Sequence, residues 1–290
     1  MSFTQNIKAQ LAKLENSCDF CDIAELSSII KVCTSYRDGQ ILIVTENEDV
    51  AERIQFLFGK VFGLQIDYIN RNGSFKFRPD FEFFTDVMAM RLLLFNTSDA
   101  EITPLDCCRA AYIRGAFLGG GSMLDPKTRY HMEFDAKHES YANQIRDILS
   151  ELGIGSKITC RKGRYVVYIK EYEAIADALG AMGAVGAAME LYNISIEKEL
   201  RNTANRQANC EIANIEKTTK TAFRQIEAIK KIEKYMGFDE LPETLREIAE
   251  IRCKYPEESL KELGERLSPP IGKSGVNHRL KRITEIAEKL

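Results

Sequence analysis

The chain has 290 residues, of which 44% are apolar and 29% charged. This balance is typical of a protein that buries two or three cores, and it excludes disorder as an overall description. The net charge of −3 excludes a generally basic surface, so any contact with nucleic acid must come from local groups of Lys and Arg. The first residues lack the pattern of a signal peptide, and no apolar run reaches the roughly 18 residues of a membrane span. We therefore expect a cytoplasmic protein that makes no contact with a membrane.

The first motif along the chain is Cys18-Asp-Phe-Cys21, whose spacing suits a zinc knuckle or a redox pair. No second motif of this spacing follows, and the chain has only three histidines. All eight cysteines are expected to be free thiols, because nothing in the sequence indicates export. We expect no bound metal and no other cofactor.

Two stretches share one order of predicted elements, in which an amphipathic helix, a pair of strands, a second helix and a hairpin follow one another. The first copy covers about residues 20–80 and the second about residues 105–175. The corresponding strands and helices are Ile41 to Thr45 and Asp49 to Phe62 in the first copy, and Tyr130 to Phe134 and Glu139 to Leu152 in the second. We expect the copies to pack about a pseudo-two-fold axis, with a helical connector between Pro79 and Pro104.

The segment after the second copy is predicted to be a helical linker over residues 191–238. A helical stretch rich in Ala and Gly ends near Glu190, and an Asn-rich polar run over residues 202–218 then leads into a long helix toward Met236. The polar run is compatible with a solvated helix face, a network of caps or a partner site.

The last part of the chain, residues 239–290, has the pattern of a helix-turn-helix domain. A helix from Pro242 to about Lys254 is followed by a break, a short helix from Ser259 to Leu267, a turn and a final helix. We assign the motif itself to the span from Ser259 to Leu290. In the final helix the apolar residues fall at helical spacing and predict one buried stripe: Val276, Leu280, Ile283 and Ala287.

The opposite face of the final helix is basic and polar, and it has no acidic residue between Lys273 and Arg282. Such a face suits a recognition helix, in which polar side chains contact base edges and cations contact phosphates. The candidate base-contacting residues are Ser274, Asn277, His278 and Arg279, and the candidate phosphate-contacting residues are Lys273, Lys281 and Arg282. Ser274 is also expected to cap the helix. The alternative is an ordinary amphipathic helix of a soluble bundle.

The segment YIRGAFLGGGSM, residues 112–123, resembles the LAGLIDADG motif of homing endonucleases. Together with YHMEF, NRQANCEIANIEKT and the C-terminal motif, in that order, it resembles the WhiA family of sporulation regulators over nearly the whole chain. The resemblance implies a monomeric LAGLIDADG scaffold fused to a helix-turn-helix similar to the promoter-reading domain of sigma factors. It also implies a role in sporulation, cell division and chromosome segregation, association with the nucleoid, and promoter DNA, another transcription regulator or RNA polymerase as partners.

The expected fold class is therefore α+β, with a duplicated LAGLIDADG-type scaffold of pseudo-two-fold symmetry over residues 1–190, followed by an all-α helix-turn-helix domain. Small residues leave space where the two motif helices would cross, and they are Gly115, Gly119, Gly120 and Gly121.

The resemblance places Cys33 and Gly120 where a cutting enzyme has the acids that hold its divalent metal. Neither residue suits magnesium, so we expect no enzyme activity. Asp38 and Asp125 follow at matching places, but each begins a strong turn signal, which accounts for both without a metal.

The hairpin of the second copy is basic and has no acidic residue from Ser156 to Lys170. Its candidate accessory DNA contacts are Lys157, Arg161, Lys162, Arg164 and Lys170, and an ordinary solvated hairpin is the alternative. The hairpin of the first copy is less basic, which favours a protein partner there.

The leading hypothesis is a sequence-specific DNA-binding regulator. A protein-docking scaffold with only non-specific DNA binding is the second hypothesis, and a metal-dependent DNA endonuclease is the third.

Overall fold

The computed structural model describes residues 2–37, 40–79 and 103–290. The chain divides into two compact units, Met1–Lys198 and Glu199–Leu290. Residues 80–102, which include most of the connector predicted between Pro79 and Pro104, lie outside the described residues. The turn predicted at Asp38 lies outside them as well.

The first copy of the repeat begins after a capped helix, α1 (Phe3–Ala12). Its strands form an antiparallel sheet in the order β1-β2-β4-β3, so the last two strands reach the sheet after a helical crossover. The elements of this copy are α2 (Asp19–Cys33), β1 (Thr34–Arg37), β2 (Gln40–Thr45), α3 (Glu48–Phe62), β3 (Tyr68–Arg71) and β4 (Ser74–Phe77).

The second copy repeats this arrangement, with the antiparallel strand order β5-β6-β8-β7. Its elements are α4 (Asp106–Gly120), β5 (Gly121–Met123), β6 (Met132–Ala136), α5 (Glu139–Glu151), β7 (Lys157–Arg161) and β8 (Arg164–Ile169). Two sheets of equal order, each preceded by a long helix, confirm the duplication. Strand β6 lies two residues later than predicted, because a turn follows Asp125. The Asp125 carboxylate accepts a hydrogen bond from the amide of Lys127 at 2.8 Å in this turn.

The motif helices α2 and α4 pack closely along their length, and glycines of α4 permit this approach. A Cβ atom on Gly115 would lie 2.3 Å from the Glu25 carbonyl oxygen, and one on Gly119 would lie 3.0 Å from the Cβ of Val32. Since real Cβ atoms do not approach a backbone oxygen to 2.3 Å, a larger residue at 115 would separate the helices. A Cβ atom on Gly120 would likewise lie 2.7 Å from the Cγ1 of Val32 in α2, and the packing role of these glycines stays a prediction. Gly121 differs, because its Cβ would meet Phe117 of the same helix.

A buried ionic network joins the three helices around this crossing. Glu25 of α2 is fully buried and accepts two hydrogen bonds from Arg53 of α3, both at 2.8 Å. Arg114 of α4 donates to the same carboxylate at 3.0 and 3.1 Å, and Asn16 donates at 2.9 Å. One carboxylate therefore neutralises two buried guanidinium groups and fixes α3 and α4 against α2.

Two helices follow the second sheet, α6 (Tyr172–Met182) and α7 (Val185–Tyr235). The helix expected to end near Glu190 continues through the polar run, because no glycine or proline interrupts it between Gly186 and Gly237. Every side chain over residues 201–221 of α7 is exposed. The predicted division into residues 1–190, 191–238 and 239–290 stays a prediction. Ile229 and Ile232, assigned to the linker, are buried in the core of the second unit.

The second unit continues with a short 3-10 helix (Phe238–Glu240) and three α-helices. These are α8 (Glu243–Lys254), α9 (Leu260–Glu265) and α10 (Lys273–Glu288). Helices α8 and α9 begin and end within two residues of the predicted bounds. Among the described residues, no helix combines the length and the apolar character that crossing a membrane requires.

Candidate nucleic-acid interface

The short helix α9 is fixed at its start by a capping box. The Ser259 hydroxyl accepts a hydrogen bond from the Glu262 amide at 3.4 Å, and the Ser259 amide donates to the Glu262 carboxylate at 2.8 Å. This reciprocal pair satisfies two amides that a helix start leaves without partners, and its hydrogen bonds also lower the pKa of Glu262. The cap sets the point at which the chain turns from α8 into α9.

The turn between α9 and α10 depends on Gly264. A Cβ atom at this position would lie 2.2 Å from the Ile271 carbonyl oxygen, while the Ile271 amide donates to the Gly264 carbonyl at 3.1 Å. Because the backbone of Gly264 directly contacts the backbone of Ile271, only glycine allows the two segments to lie this close together. The approach sets the angle at which α10 leaves the turn.

The predicted apolar stripe of α10 is confirmed, since Val276, Leu280, Ile283 and Ala287 are all buried. Burying this stripe against α8 and α9 forces the opposite face of α10 outward. The exposed residues on that face are Lys273, Ser274, Asn277, His278, Lys281 and Arg282. The next acidic residue is Glu285, whose carboxylate lies 3.9 Å from the Lys281 ammonium in an exposed pair of little strength.

Arg279 is oriented differently from the other candidate residues. It is only half-exposed, its guanidinium donates to the Thr244 carbonyl at 3.3 Å, and it lies 3.9 Å from the Glu247 carboxylate. These contacts direct the side chain toward α8. Arg279 therefore links α10 to α8, a contact that sequence pattern alone did not reveal.

The predicted capping role of Ser274 is wrong. The N-cap position is Gly272, which has an extended backbone and no side chain to accept a hydrogen bond, and the helix begins at Lys273. Ser274 thus lies inside the first turn, where its hydroxyl faces solvent. A helix start without a side-chain cap leaves amide hydrogens available to an anion such as a phosphate.

A buried arginine, which sequence reasoning missed, supports the domain from within. Arg252 of α8 is 1% exposed, and it donates to the Gln225 side chain at 3.1 Å and to the Glu258 carbonyl at 2.6 Å. It therefore links the end of α7 to the turn before α9. Burial lowers the pKa of Arg252.

The basic hairpin of the second sheet is partly neutralised. Arg161 lies 3.0 Å from Glu133, and Arg164 forms a bidentate pair with Asp135. Both acids lie on the neighbouring strand β6, which sequence alone could not pair with β8. Lys157, Lys162 and Lys170 are exposed on this hairpin, and Lys170 lies over the Tyr168 ring at 4.7 Å.

Cys33 and Gly120 occupy the C-terminal ends of the two motif helices, where the resemblance places the metal-binding acids. Burial raises the pKa of the Cys33 thiol to about 11, and its Sγ lies 3.7 Å from the Gly119 carbonyl oxygen. A Cβ atom on Gly120 would lie 2.7 Å from the Cγ1 of Val32. A protonated thiol and a glycine supply no hard oxygen ligand for magnesium.

Two lysines lie close to Cys33, and sequence reasoning missed both. Burial lowers the pKa of Lys8 and of Lys137, and the Lys137 ammonium donates to the Thr34 carbonyl. Two cations beside the ends of α2 and α4 oppose the binding of a further cation there. No feature of their sequence neighbourhood predicts this convergence.

Comparisons with known proteins match both units of the chain. The family described as "WhiA LAGLIDADG-like domain" matches residues 109–201, and the one described as "WhiA C-terminal HTH domain" matches residues 204–287. The described fold and these matches together confirm the predicted fold class.

Relatives resemble the chain over its whole length. A protein of Alkaliphilus oremlandii and one of Clostridium acetobutylicum, each named "Probable cell division protein WhiA", are 42% identical to it and cover 100% of this chain and 98% of their own. The crystal structure of full-length DUF199/WhiA from Thermatoga maritima has a TM-score of 0.61 and 27% identity, and it covers 100% of this chain and 99% of that one. At this identity over its full length, the chain belongs to the WhiA family.

Proposed function

We propose that this protein is a sequence-specific DNA-binding regulator whose recognition helix is α10. The observation that carries the proposal is the separation of the two faces of this helix. Its apolar stripe is buried in the core, and its outward face has three cations and three polar side chains before the first acid. A major groove accepts an α-helix with a face of this kind.

The residues of α10 divide into two roles under this proposal. Ser274, Asn277 and His278 lie in the first half of the helix and contact base edges, for which Asn suits adenine through two hydrogen bonds. Lys273, Lys281 and Arg282 contact phosphates, and the uncapped start of the helix receives one more phosphate through its amides. Arg279 orients the helix through its contact with α8.

The N-terminal unit acts without catalysis in this proposal. Its metal-binding positions hold Cys33 and Gly120, and Lys8 and Lys137 add positive charge beside them. The exposed lysines of the second hairpin supply an accessory contact to DNA, while Arg161 and Arg164 stay paired with acids of their own sheet. This unit therefore contributes general affinity and α10 contributes specificity.

The biological setting follows from the family. The named relatives carry the words "cell division protein", and we propose that this chain regulates promoters in that process, as a monomer associated with the nucleoid. Another transcription regulator or RNA polymerase is the protein partner in this proposal.

A second candidate function is a docking scaffold that binds DNA without sequence preference. Large apolar side chains exposed on α7 within the first unit favour it, because they follow helical spacing: Val185, Met189, Tyr192 and Ile196 are 57%, 62%, 40% and 55% exposed. Such a row suits the docking of a protein partner. The two candidates differ in whether one DNA sequence is preferred.

Salt dependence tests the role of α10. Equilibrium binding of the intact chain to a fixed duplex is measured by fluorescence anisotropy at several salt concentrations. Each lost phosphate contact reduces the slope of log K against log salt by about 0.9, so Lys281→Ala/Arg282→Ala should reduce it by about 1.8. The matched control, Lys230→Ala/Lys234→Ala, removes the same charge from exposed positions of α7 and should leave the slope nearly unchanged. Equal slopes for both double variants would contradict the proposal.

A further inference from the structure

Four cysteine side chains converge at the N-terminal ends of the motif helices. Cys18 precedes α2 and Cys21 lies in its first turn, while Cys107 and Cys108 lie in the first turn of α4. Their four Sγ atoms all lie within 4.8 Å of one another. Within residues 2–37, 40–79 and 103–290, this is the one close group of three or more side chains of metal-binding type.

The spacing of the sulfur atoms matches one tetrahedral metal ion. With metal–sulfur bonds of about 2.3 Å, tetrahedral zinc holds its ligand sulfurs about 3.8 Å apart. The sulfur of Cys108 lies 3.8 Å from that of Cys18, 3.9 Å from that of Cys21 and 4.0 Å from that of Cys107. The sulfurs of Cys18 and Cys21 are closer, at 3.3 Å.

These distances separate a single-ion site from two other uses of cysteine. A disulfide needs about 2.05 Å between sulfurs, and all four residues are free thiols. An iron–sulfur cluster distributes its cysteines over two or more irons, which holds some of the thiolates further apart than one ion does.

We propose that Cys18, Cys21, Cys107 and Cys108 bind one Zn²⁺ ion as a structural centre. Four thiolates complete a tetrahedral shell and leave no open position for a substrate, so the ion has no catalytic role. Zinc is favoured over ferrous iron at a soft site by the general order of affinities of the divalent metals. This inference is independent of the proposed DNA binding.

The cysteine group lies at the N-terminal ends of two helices. Cys18 occupies the N-cap position of α2 and makes no side-chain cap bond, and the other three lie in the first turn of a helix. The positive ends of two helix dipoles therefore face the negative charge of the centre. Cys21 and Cys108 are 1% and 0% exposed, so the metal would be shielded from water on that side.

The centre would hold the two halves of the repeat together. Cys21 and Cys108 occupy equivalent positions in the two copies, at the ends of α2 and α4 opposite to Cys33 and Gly120. Metal binding would therefore clamp one end of the helix pair, and the energy of binding would stabilise the folded unit. The sequence pattern hides the site because Cys107 and Cys108 are adjacent instead of spaced as a second CxxC motif, which is why we expected no metal.

The zinc content of the intact chain tests the proposal. The protein is produced with zinc in the medium, purified under reducing conditions without a chelator, and analysed by mass spectrometry of its metals. The wild-type chain and the control Cys160→Ser/Cys210→Ser, which changes two exposed cysteines, should each hold one zinc ion per chain. Cys108→Ser should lose it. Zinc absent from the wild type, or retained in full by Cys108→Ser, would overturn the proposal.

A second measurement needs no variant and keeps the test valid if Cys108→Ser fails to fold. Cobalt added to the metal-free wild-type chain under reducing conditions should produce the thiolate-to-cobalt absorption of a tetrahedral site. The absorption should saturate at one equivalent and disappear when zinc is added. Failure to develop this absorption would overturn the proposal, as would alkylation showing that two of the four cysteines form a disulfide under these conditions.

Discussion

The substitution Glu25→Gln should destabilise the N-terminal unit strongly. The Glu25 carboxylate is fully buried and faces two guanidinium groups, those of Arg53 and Arg114. Glutamine keeps the size and one acceptor oxygen but removes the negative charge. The two buried cations would then lose the one carboxylate that both of them contact.

The expected effect is large because both arginines are buried, at 4% and 7% exposure. Breaking a buried ion pair by removing one partner costs about 3–5 kcal/mol. For a unit of this size, one kcal/mol shifts the melting temperature by about 2–4 °C. The melting temperature of the first unit should therefore fall by about 6–20 °C.

Differential scanning calorimetry of the intact chain measures the effect, with the second unit as an internal reference because it contains no changed residue. The matched control is Glu151→Gln, which removes a carboxylate that pairs with Arg109 at the surface. Exposed pairs contribute about 1 kcal/mol or less, so the control should melt within about 4 °C of the wild type. If the melting temperature of Glu25→Gln falls no further than that of the control, the buried network does not stabilise the first unit as strongly as we assign.

Two further substitutions test single features of the fold. Gly264→Ala should destabilise the helix-turn-helix by about 1–3 kcal/mol, because its Cβ would meet the Ile271 carbonyl and force the turn apart. Gly155→Ala, in open space, should change the unfolding free energy by less than about 1 kcal/mol; equal effects in denaturant titrations would count against the close approach. Burial raises the pKa of Cys33 from 9.0 to about 11. The stability that the buried, protonated thiol contributes is therefore present below pH 9 and is lost as the pH rises toward 11. Between these values the wild type should lose about 2 kcal/mol more stability than Cys33→Ala, and parallel stability curves for the two proteins would contradict this assignment.

Local patterns were sufficient to predict most of the helices and strands and the buried stripe of α10. Helical spacing identified the buried stripe of α10, which includes Val276 and Leu280, and this pattern depends on neighbours within one helix. The order of elements revealed the duplication for the same reason. Glycines at 115 and 119 predicted a close helix crossing. Glycine destabilises the interior of a helix, so its presence there indicates that another segment packs closely against it.

Contacts between distant parts of the chain could not be predicted in this way. Arg164 and Asp135 face each other because β6 and β8 pair, and no periodic pattern states which strands are neighbours. Arg279 lies at the edge of the exposed face, where a small rotation of the helix decides whether a side chain meets DNA or α8. The cysteine group requires residues about 90 positions apart to meet, so only the folded chain reveals it.

Selection from a pool of randomised duplexes tests the central claim most directly. The intact chain and the variant Asn277→Ala are each incubated with the pool at near-physiological salt, with magnesium present, and the bound and cleaved DNA is sequenced. We predict that the intact chain enriches one sequence without cutting it. Asn277→Ala should relax one position of that sequence, since a specific base contact contributes about 1–3 kcal/mol of discrimination. Absence of any enriched sequence, or magnesium-dependent cleavage by the purified chain, would contradict the account.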